Sequence, residues 1–343
     1  RPFPPCQPNL LHDLSYHSRM AFETNNADRM TPKTAPQKLE NLDFLRGVAA
    51  ITVLIWHYQH FYLTSPDQVP TDWKVESQPL FESLRWAYLN GYLAVDFFWA
   101  LSGFIFFHVY GQNGRVGAWE FSIHRFSRLY PLHFITLCLV AALQWISKFY
   151  FGKFQIYPHN DPYHFLLHLG MASHWGLEKG YSFNAPIWSV STEVLVYVMF
   201  FVYQRAVGVT LVTSLAWVTW SSLMYLNAPV PVFGCELLFA LGGCIQLLHH
   251  RISQIGKHIS SSMALAACLL TALLLVDQES RIEDWRLIVR YLLFPCLIWL
   301  AAAIESEGIT LGKMGRLMGE ITYGAYLIHV PLQILTLMLM DRF

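Results

Sequence analysis

An arginine and a histidine stand eleven residues apart in the apolar run Leu42 to Tyr62, LDFLRGVAAITVLIWHYQHFY. At 3.6 residues per turn, Arg46 and His57 fall within about 20° of one helix face and roughly 16 Å apart along it. Eight of the ten residues between them are apolar and none is charged. Guanidinium suits a phosphate or carboxylate, and imidazole moves protons near neutrality. In a segment long enough to span a bilayer, such groups are costly to bury and mark candidate functional sites. The ordinary alternative is an arginine snorkelling to an interface and a histidine satisfied by a neighbouring helix.

Three more stretches put polar groups where a bilayer disfavours them. YLAVDFFWALSGF carries Asp96, a carboxylate that needs a partner if buried. NAPIWSVSTEVLVY crowds Trp188, Ser189, Ser191 and Glu193 after Pro186, with Ser189 and Glu193 four apart and able to share a face. EITYGAYLIHVPL sets Tyr323, Tyr326 and His329 at successive spacings of three, on one side of a helix. Polar groups bonding between helices are commoner than catalysis, but four such sites in one chain, two holding a histidine, make four separate accidents less attractive.

FSIHRFSRLYP gathers His124, Arg125 and Arg128 at the start of another apolar run. Part of this is the basic bias of cytoplasmic loops, and its functional reading is a phosphate site. His164 and His168 have the i, i+4 spacing of a metal pair, yet no carboxylate or cysteine accompanies them at ligand spacing, and no metal site is expected.

The elements that must carry these residues are membrane helices. The chain is 54% hydrophobic and 13% charged, against about 25% charged in ordinary soluble domains. Formal net charge is zero, so no polycation points to nucleic acid. The six cysteines show no CxxC spacing and read as small core residues. Apolar windows of bilayer length fall near 43–62, 90–109, 129–150, 185–204, 206–226, 230–249, 259–276, 286–304 and 319–340, with a shorter tenth at 162–175. The runs lack strand alternation, so the expected fold is all-α: a polytopic transmembrane helical bundle of nine to ten spans.

Lysine and arginine in 29–46, 111–128 and 249–258 put those segments in the cytoplasm, while 63–89 and 277–284 are acid-rich. A tenth crossing at 162–175 would send the 249–258 loop outside; nine keep it inside. Either way the N-terminus is cytoplasmic, in an inner-membrane protein with Arg46 towards the cytoplasm and His57 towards the far side. Residues 1–39 are proline-rich at first, then polar and unpatterned, and are expected to be a disordered or non-native tail ahead of a membrane domain at 40–343. Translation from Met20 or Met30 is one expectation for this start, and no signal peptide is evident.

LDFLRGVAAITVLIWH, VDFFWALSGF, HRFSRLYPLH, PIWSVSTEVLVY and ITYGAYLIHVP, in this order, closely resemble the signature stretches of the acyltransferase-3 family of integral-membrane acyltransferases, over about residues 40 to 335. The resemblance implies transfer of an acyl group, most often acetyl, from cytoplasmic acyl-CoA to a hydroxyl of a cell-envelope carbohydrate or other small acceptor, with no permanently bound cofactor. The family hallmark of a basic residue, ten residues and a histidine is matched by Arg46 and His57. The same resemblance points to Arg125 and Arg128, to Trp188, Ser189 and Glu193, and to Tyr326 and His329. Thr322, Thr192 and His133 depart from the usual pattern. With its end just after the last apolar run, the chain reads as a stand-alone transferase.

On that basis the CoA phosphates are expected near Arg46, Arg125 and Arg128, with Trp188, Ser189 and Ser191 at the substrate. His57 is expected as general base on the acceptor hydroxyl, or as a covalent acyl carrier. Glu193 or Asp96 would orient the imidazole, and Tyr326 or His329 would stabilise charge near the carbonyl. The rival expectation is a secondary transporter for protons or small solutes, which also buries Asp, Glu, His and Arg but predicts internal repeats; no convincing self-similarity is present.

Overall fold

A computed structural model describes residues 39–111, 118–278 and 285–342. The expectations for residues 1–38, for Arg115 and for the acid-rich segment after Asp277 lie outside the described residues, as does the side chain of His124. All named elements are helical, and among the described residues there is no strand.

Among the described residues, eleven α-helices follow in order. They are α1 (Glu40–Trp56), α2 (Phe81–Asn90), α3 (Ala94–Tyr110), α4 (Ala118–Phe151), α5 (Pro162–Leu169) and α6 (Trp188–Ala206). After these come α7 (Leu211–Asn227), α8 (Pro231–Ile255), α9 (Lys257–Gln278), α10 (Trp285–Ser306, with a π-turn at Val289–Leu293) and α11 (Gly312–Arg342). Among the described residues, seven helical stretches are long and apolar enough to cross a membrane: Phe81–Tyr110, Trp119–Phe151, Ala185–Ala206, Pro231–Ile255, Lys257–Leu275, Trp285–Ser306 and Gly312–Arg342. The first apolar run is a seventeen-residue helix continued by a 3₁₀ segment, His57–Tyr62, and α7 also has seventeen residues. The tenth window holds only α5, eight residues long, or about 12 Å at 1.5 Å per residue. A bilayer core is about 30 Å thick.

Close approach of backbones sets the frame. A Cβ on Gly315 of α11 would lie 2.2 Å from the Glu40 carbonyl oxygen, and one on Gly319 would lie 2.7 Å from the Asp43 side chain. This small-xxx-small pair lets α11 lie directly against α1. Gly103 of α3 and Gly242 of α8 do the same for a second pair, where added Cβ atoms would meet the Phe239 and Ala100 carbonyls at 1.9 Å. Around that crossing, Phe104, Phe106, Phe107, Phe200 and Phe239 are fully buried, and Phe106 stacks on Tyr197 at 4.2 Å.

The start of α1 is capped from α10. The Glu305 carboxylate accepts from the backbone N–H groups of Glu40 (2.6 Å) and Asn41 (3.0 Å). These donors have no partner within the helix, and the carboxylate sits at the positive end of the helix dipole. Asn41 adds a bond from Nδ2 to the Ile309 carbonyl (2.8 Å) and accepts from Leu311 N–H (2.9 Å). Arg46 is thereby set at a fixed height next to α11.

Pro331 lies inside α11. Having no N–H, it frees the carbonyl four residues earlier, at Leu327. Asn184 Nδ2 donates to that carbonyl at 2.9 Å. The residue opening the NAPIW stretch therefore replaces the missing helix bond and ties the approach to α6 onto α11.

Candidate active site

Five of the helices enclose one cavity of about 140 Å³. Arg46 enters it from α1, Trp99, Ser102 and Phe106 from α3, Arg125, Arg128 and Leu129 from α4, Ser189, Glu193 and Tyr197 from α6, and Thr322, Tyr323 and Tyr326 from α11. Each of the five sequence stretches thus contributes to the same wall.

One end is cationic. Arg46 Nη1 pairs with Asp43 one turn away at 2.6 Å. Arg125 lies over the Phe106 ring at 4.2 Å and donates from Nη2 to the Tyr110 hydroxyl at 2.9 Å. Its Nε is buried with no hydrogen-bond partner. Arg128 is exposed and has no hydrogen bond among the described residues. Glu193 opposes them, accepting from the Tyr197 hydroxyl at 2.6 Å. With the Tyr197 proton committed there, Ser102 donates to the Tyr197 oxygen at 3.3 Å. Three guanidinium groups face two carboxylates, so a phosphate-bearing ligand would complete the balance of charge.

Ser189 and Tyr326 stand at the other end. The Tyr326 hydroxyl donates to the Pro186 carbonyl at 2.6 Å, and Ser189 Oγ is 2.8 Å from the Tyr326 oxygen. Ser189 Oγ also lies 3.3 Å from the Pro186 carbonyl, which can only accept, so both hydroxyls converge on that one oxygen and on each other. Beyond this pair lies His329, whose ring centroid is 6.0 Å from that of Tyr326 and 4.8 Å from that of His57.

Main-chain carbonyls fix both imidazole tautomers. His57 Nδ1–H donates to Val53 O at 2.9 Å, and His329 Nδ1–H donates to Tyr326 O at 2.7 Å. In the neutral ring each Nε2 then carries the lone pair. His329 Nε2 is buried without a hydrogen-bond partner. This is the arrangement a proton-transfer site requires, with a backbone acceptor on one nitrogen and a free base on the other.

Several expected residues have other work. His57 is oriented by the Val53 carbonyl, and neither Glu193 nor Asp96 hydrogen-bonds it. Glu193 belongs to the cavity wall. Asp96 pairs with Arg290 of the α10 π-turn, Oδ2 to Nε at 2.7 Å, an ion pair without the alignment of a hydrogen bond. Ser191 is fully buried: its Oγ accepts from His174 N–H (3.2 Å) and its carbonyl from Trp175 Nε1 (2.9 Å), so it anchors the loop before α6. Trp188 packs edge-on against Trp99 (5.7 Å) and His174 (5.1 Å), behind the cavity wall.

The three departures from the family pattern are also accounted for. Thr322 lines the cavity and bonds back to Met318 O, Thr192 bonds back to Trp188 O, and fully buried His133 donates to His168 O at 2.8 Å. His164 and His168 bond protein partners: His164 takes Asp161 and the Lys179 N–H, and His168 takes Ser182.

The residues that spacing alone did not single out are His60, Gln333, Asn184 and Arg290. Two signals were available for the first pair: His57 and His60 are three apart, and His329 and Gln333 are four apart on α11. For Asn184 the signal was Pro331, which obliges some other donor to meet the freed carbonyl.

A curated relative described as "Protein 2 in picA locus", from Rhizobium radiobacter, is 34% identical over 113 residues, or 32% of this chain and 48% of that protein. The chain therefore spans about half the length of the curated relative it matches. No solved structure matches. The family profile described as "Acyltransferase domain" matches residues 39–343, the whole of the helical assembly that builds the cavity. The chain belongs to the acyltransferase-3 family.

Proposed function

We propose that the protein transfers an acyl group, acetyl in the first instance, from acyl-CoA to a hydroxyl of a cell-envelope carbohydrate or similar acceptor. The observation that carries this is the convergence of five separated sequence stretches on one cavity, cationic at one end and bounded at the other by Tyr326, with His329 and His57 packed in turn behind that tyrosine and outside the cavity lining. Family membership favours this over the transporter alternative.

The membrane arrangement that fits is nine crossings, the seven long helical stretches plus α1 with its 3₁₀ continuation and α7. It puts the N-terminus, the 249–258 loop and the start of α4 together on the cytoplasmic side, in agreement with their lysine and arginine content. Arg46, Arg125 and Arg128 then meet a cytoplasmic donor.

In the proposed reaction the CoA phosphates bind these arginines and the thioester reaches past Ser189 towards His329 and His57. His57 Nε2 takes the proton of the acceptor hydroxyl as its oxygen attacks the thioester carbonyl carbon. The tetrahedral oxyanion collapses, the C–S bond breaks, and the departing thiolate receives the proton from His57. Nothing is left over: hydroxyl and thioester become ester and thiol. The Tyr326 hydroxyl is engaged with Pro186 and Ser189 in this state, so oxyanion stabilisation by Tyr326 requires its hydroxyl to turn.

The test uses the purified full chain in nanodiscs with radiolabelled acetyl-CoA and a panel of envelope carbohydrates. Label in the carbohydrate with equimolar thiol release supports the reading. Solute flux without either product overturns it.

A further inference from the structure

Gln333 and His60 belong to no part of the chemistry described so far, yet they are buried directly behind His57. Gln333 Nε2 donates to the His57 main-chain carbonyl at 2.9 Å, and its Oε1 is 2.9 Å from His60 Nδ1. The carbonyl can only accept, which fixes the amide orientation. Oε1 therefore faces His60, and His60 Nδ1 must carry a hydrogen. His60 Nε2 is then the acceptor facing the Tyr157 hydroxyl, at 3.4 Å.

The location gives this clamp a purpose. His57 is where α1 stops and the chain tightens into a 3₁₀ segment. A carbonyl has two lone pairs, of which a 3₁₀ bond fills one, and in a membrane interior water does not supply a second donor. Gln333 supplies it from α11, one helical turn beyond His329. The same amide fixes His60, whose ring centroid is 5.0 Å from that of His57. One side chain thus sets the backbone of His57, the ring of His60 beside it, and the register of both against His329.

We infer that Gln333, bonded directly to the His57 carbonyl and to the His60 ring beside it, is a positioning residue for His57, holding the imidazole at the distance from His329 that acyl transfer requires. This rests on the reading of His57 as the general base. The amide touches no substrate, so its effect belongs in kcat and not in the binding of acyl-CoA. Small misplacements of a reacting group cost up to about a hundredfold in rate.

The experiment compares Gln333→Met, His60→Phe, His60→Asn and the double variant Gln333→Met/His60→Phe, all as full chains in nanodiscs. Each is checked for monodispersity, and His57→Ala serves as the reference. Asparagine keeps a donor near the position of Nδ1, whereas phenylalanine keeps only the ring volume. We expect Gln333→Met and His60→Phe each to lower kcat by roughly tenfold to a hundredfold with KM for acetyl-CoA unchanged. His60→Asn should recover most of the His60→Phe loss, and the double variant should be no worse than Gln333→Met alone, because that single change already removes both bonds of the clamp. Undiminished kcat in Gln333→Met, a loss in KM alone, or multiplied losses in the double variant would overturn the inference. If Gln333→Met does not fold, the contrast between His60→Phe and His60→Asn decides it: equal losses reject the clamp. An active His57→Ala would instead reject the reading of His57 itself, which separates the two failures.

Discussion

The ring of His57, at the end of α1, lies 4.8 Å centroid to centroid from that of His329 on α11, and each directs Nδ1–H at a main-chain carbonyl. Two histidines 272 positions apart in the chain thus hold the same tautomer side by side. Glycine-mediated contact between α1 and α11 makes this proximity possible, and the Gln333 bond holds it at the far end.

His329→Gln should lower kcat by about ten- to a thousandfold while acyl-CoA still binds, because the thioester is placed beside His329 and an amide there does not keep the imidazole ring against which His57 is held. Steady-state kinetics with varied acetyl-CoA checks this. An unchanged kcat would remove His329 from the reaction.

Arg128→Ala should act on the donor instead. A charge-assisted hydrogen bond to phosphate is worth about 1.5–3 kcal/mol, so KM for acyl-CoA should rise about tenfold or more with little change in kcat. Raising the salt concentration should weaken wild-type donor binding more than it weakens binding to the variant. Equal salt dependence in the two proteins would place Arg128 away from the phosphates.

Asp96→Ala separates packing from chemistry. It leaves the partly buried Arg290 guanidinium without its carboxylate between α3 and α10, a loss between the roughly 1 kcal/mol of an exposed pair and the ~3–5 kcal/mol of a fully buried one. Thermal unfolding in detergent should show a clear loss of stability, while folded variant keeps its kinetic constants. Asp96→Ala combined with Arg290→Met should recover much of that stability. A variant of normal stability with no activity would return Asp96 to the catalytic group.

Asn184→Ala removes the donor that meets the Leu327 carbonyl freed by Pro331. An unsatisfied buried carbonyl costs about 1–3 kcal/mol. Asn184→Ala in a Pro331→Ala background should cost less, because the restored N–H at 331 can bond Leu327 again. Equal costs in both backgrounds, measured by thermal unfolding, would contradict this account of the kink.

Much of this architecture was legible in the chain. Among the described residues, seven of the ten apolar windows fall on helices of membrane-spanning length, as expected where every backbone polar group must be met within its own segment. The cationic cavity end follows from Arg46, Arg125 and Arg128, whose residue type and position near helix starts are both visible in one dimension. The partner choices were not. Whether Asp96 meets His57 or Arg290 depends on which helices α3 touches, and no periodicity within α3 encodes that. Likewise Ser191 has the residue type of a substrate ligand, but its helical position turns it into the loop before α6. The pairing of Gln333 with His57 spans 276 residues, a separation at which spacing carries no information.

The most direct test is acetyl transfer by His57→Ala, as the purified full chain in nanodiscs, read as label moved from acetyl-CoA to acceptor at equal protein and confirmed fold. The account predicts a loss of at least about a hundredfold with acetyl-CoA binding retained. Transfer at the wild-type rate would contradict it.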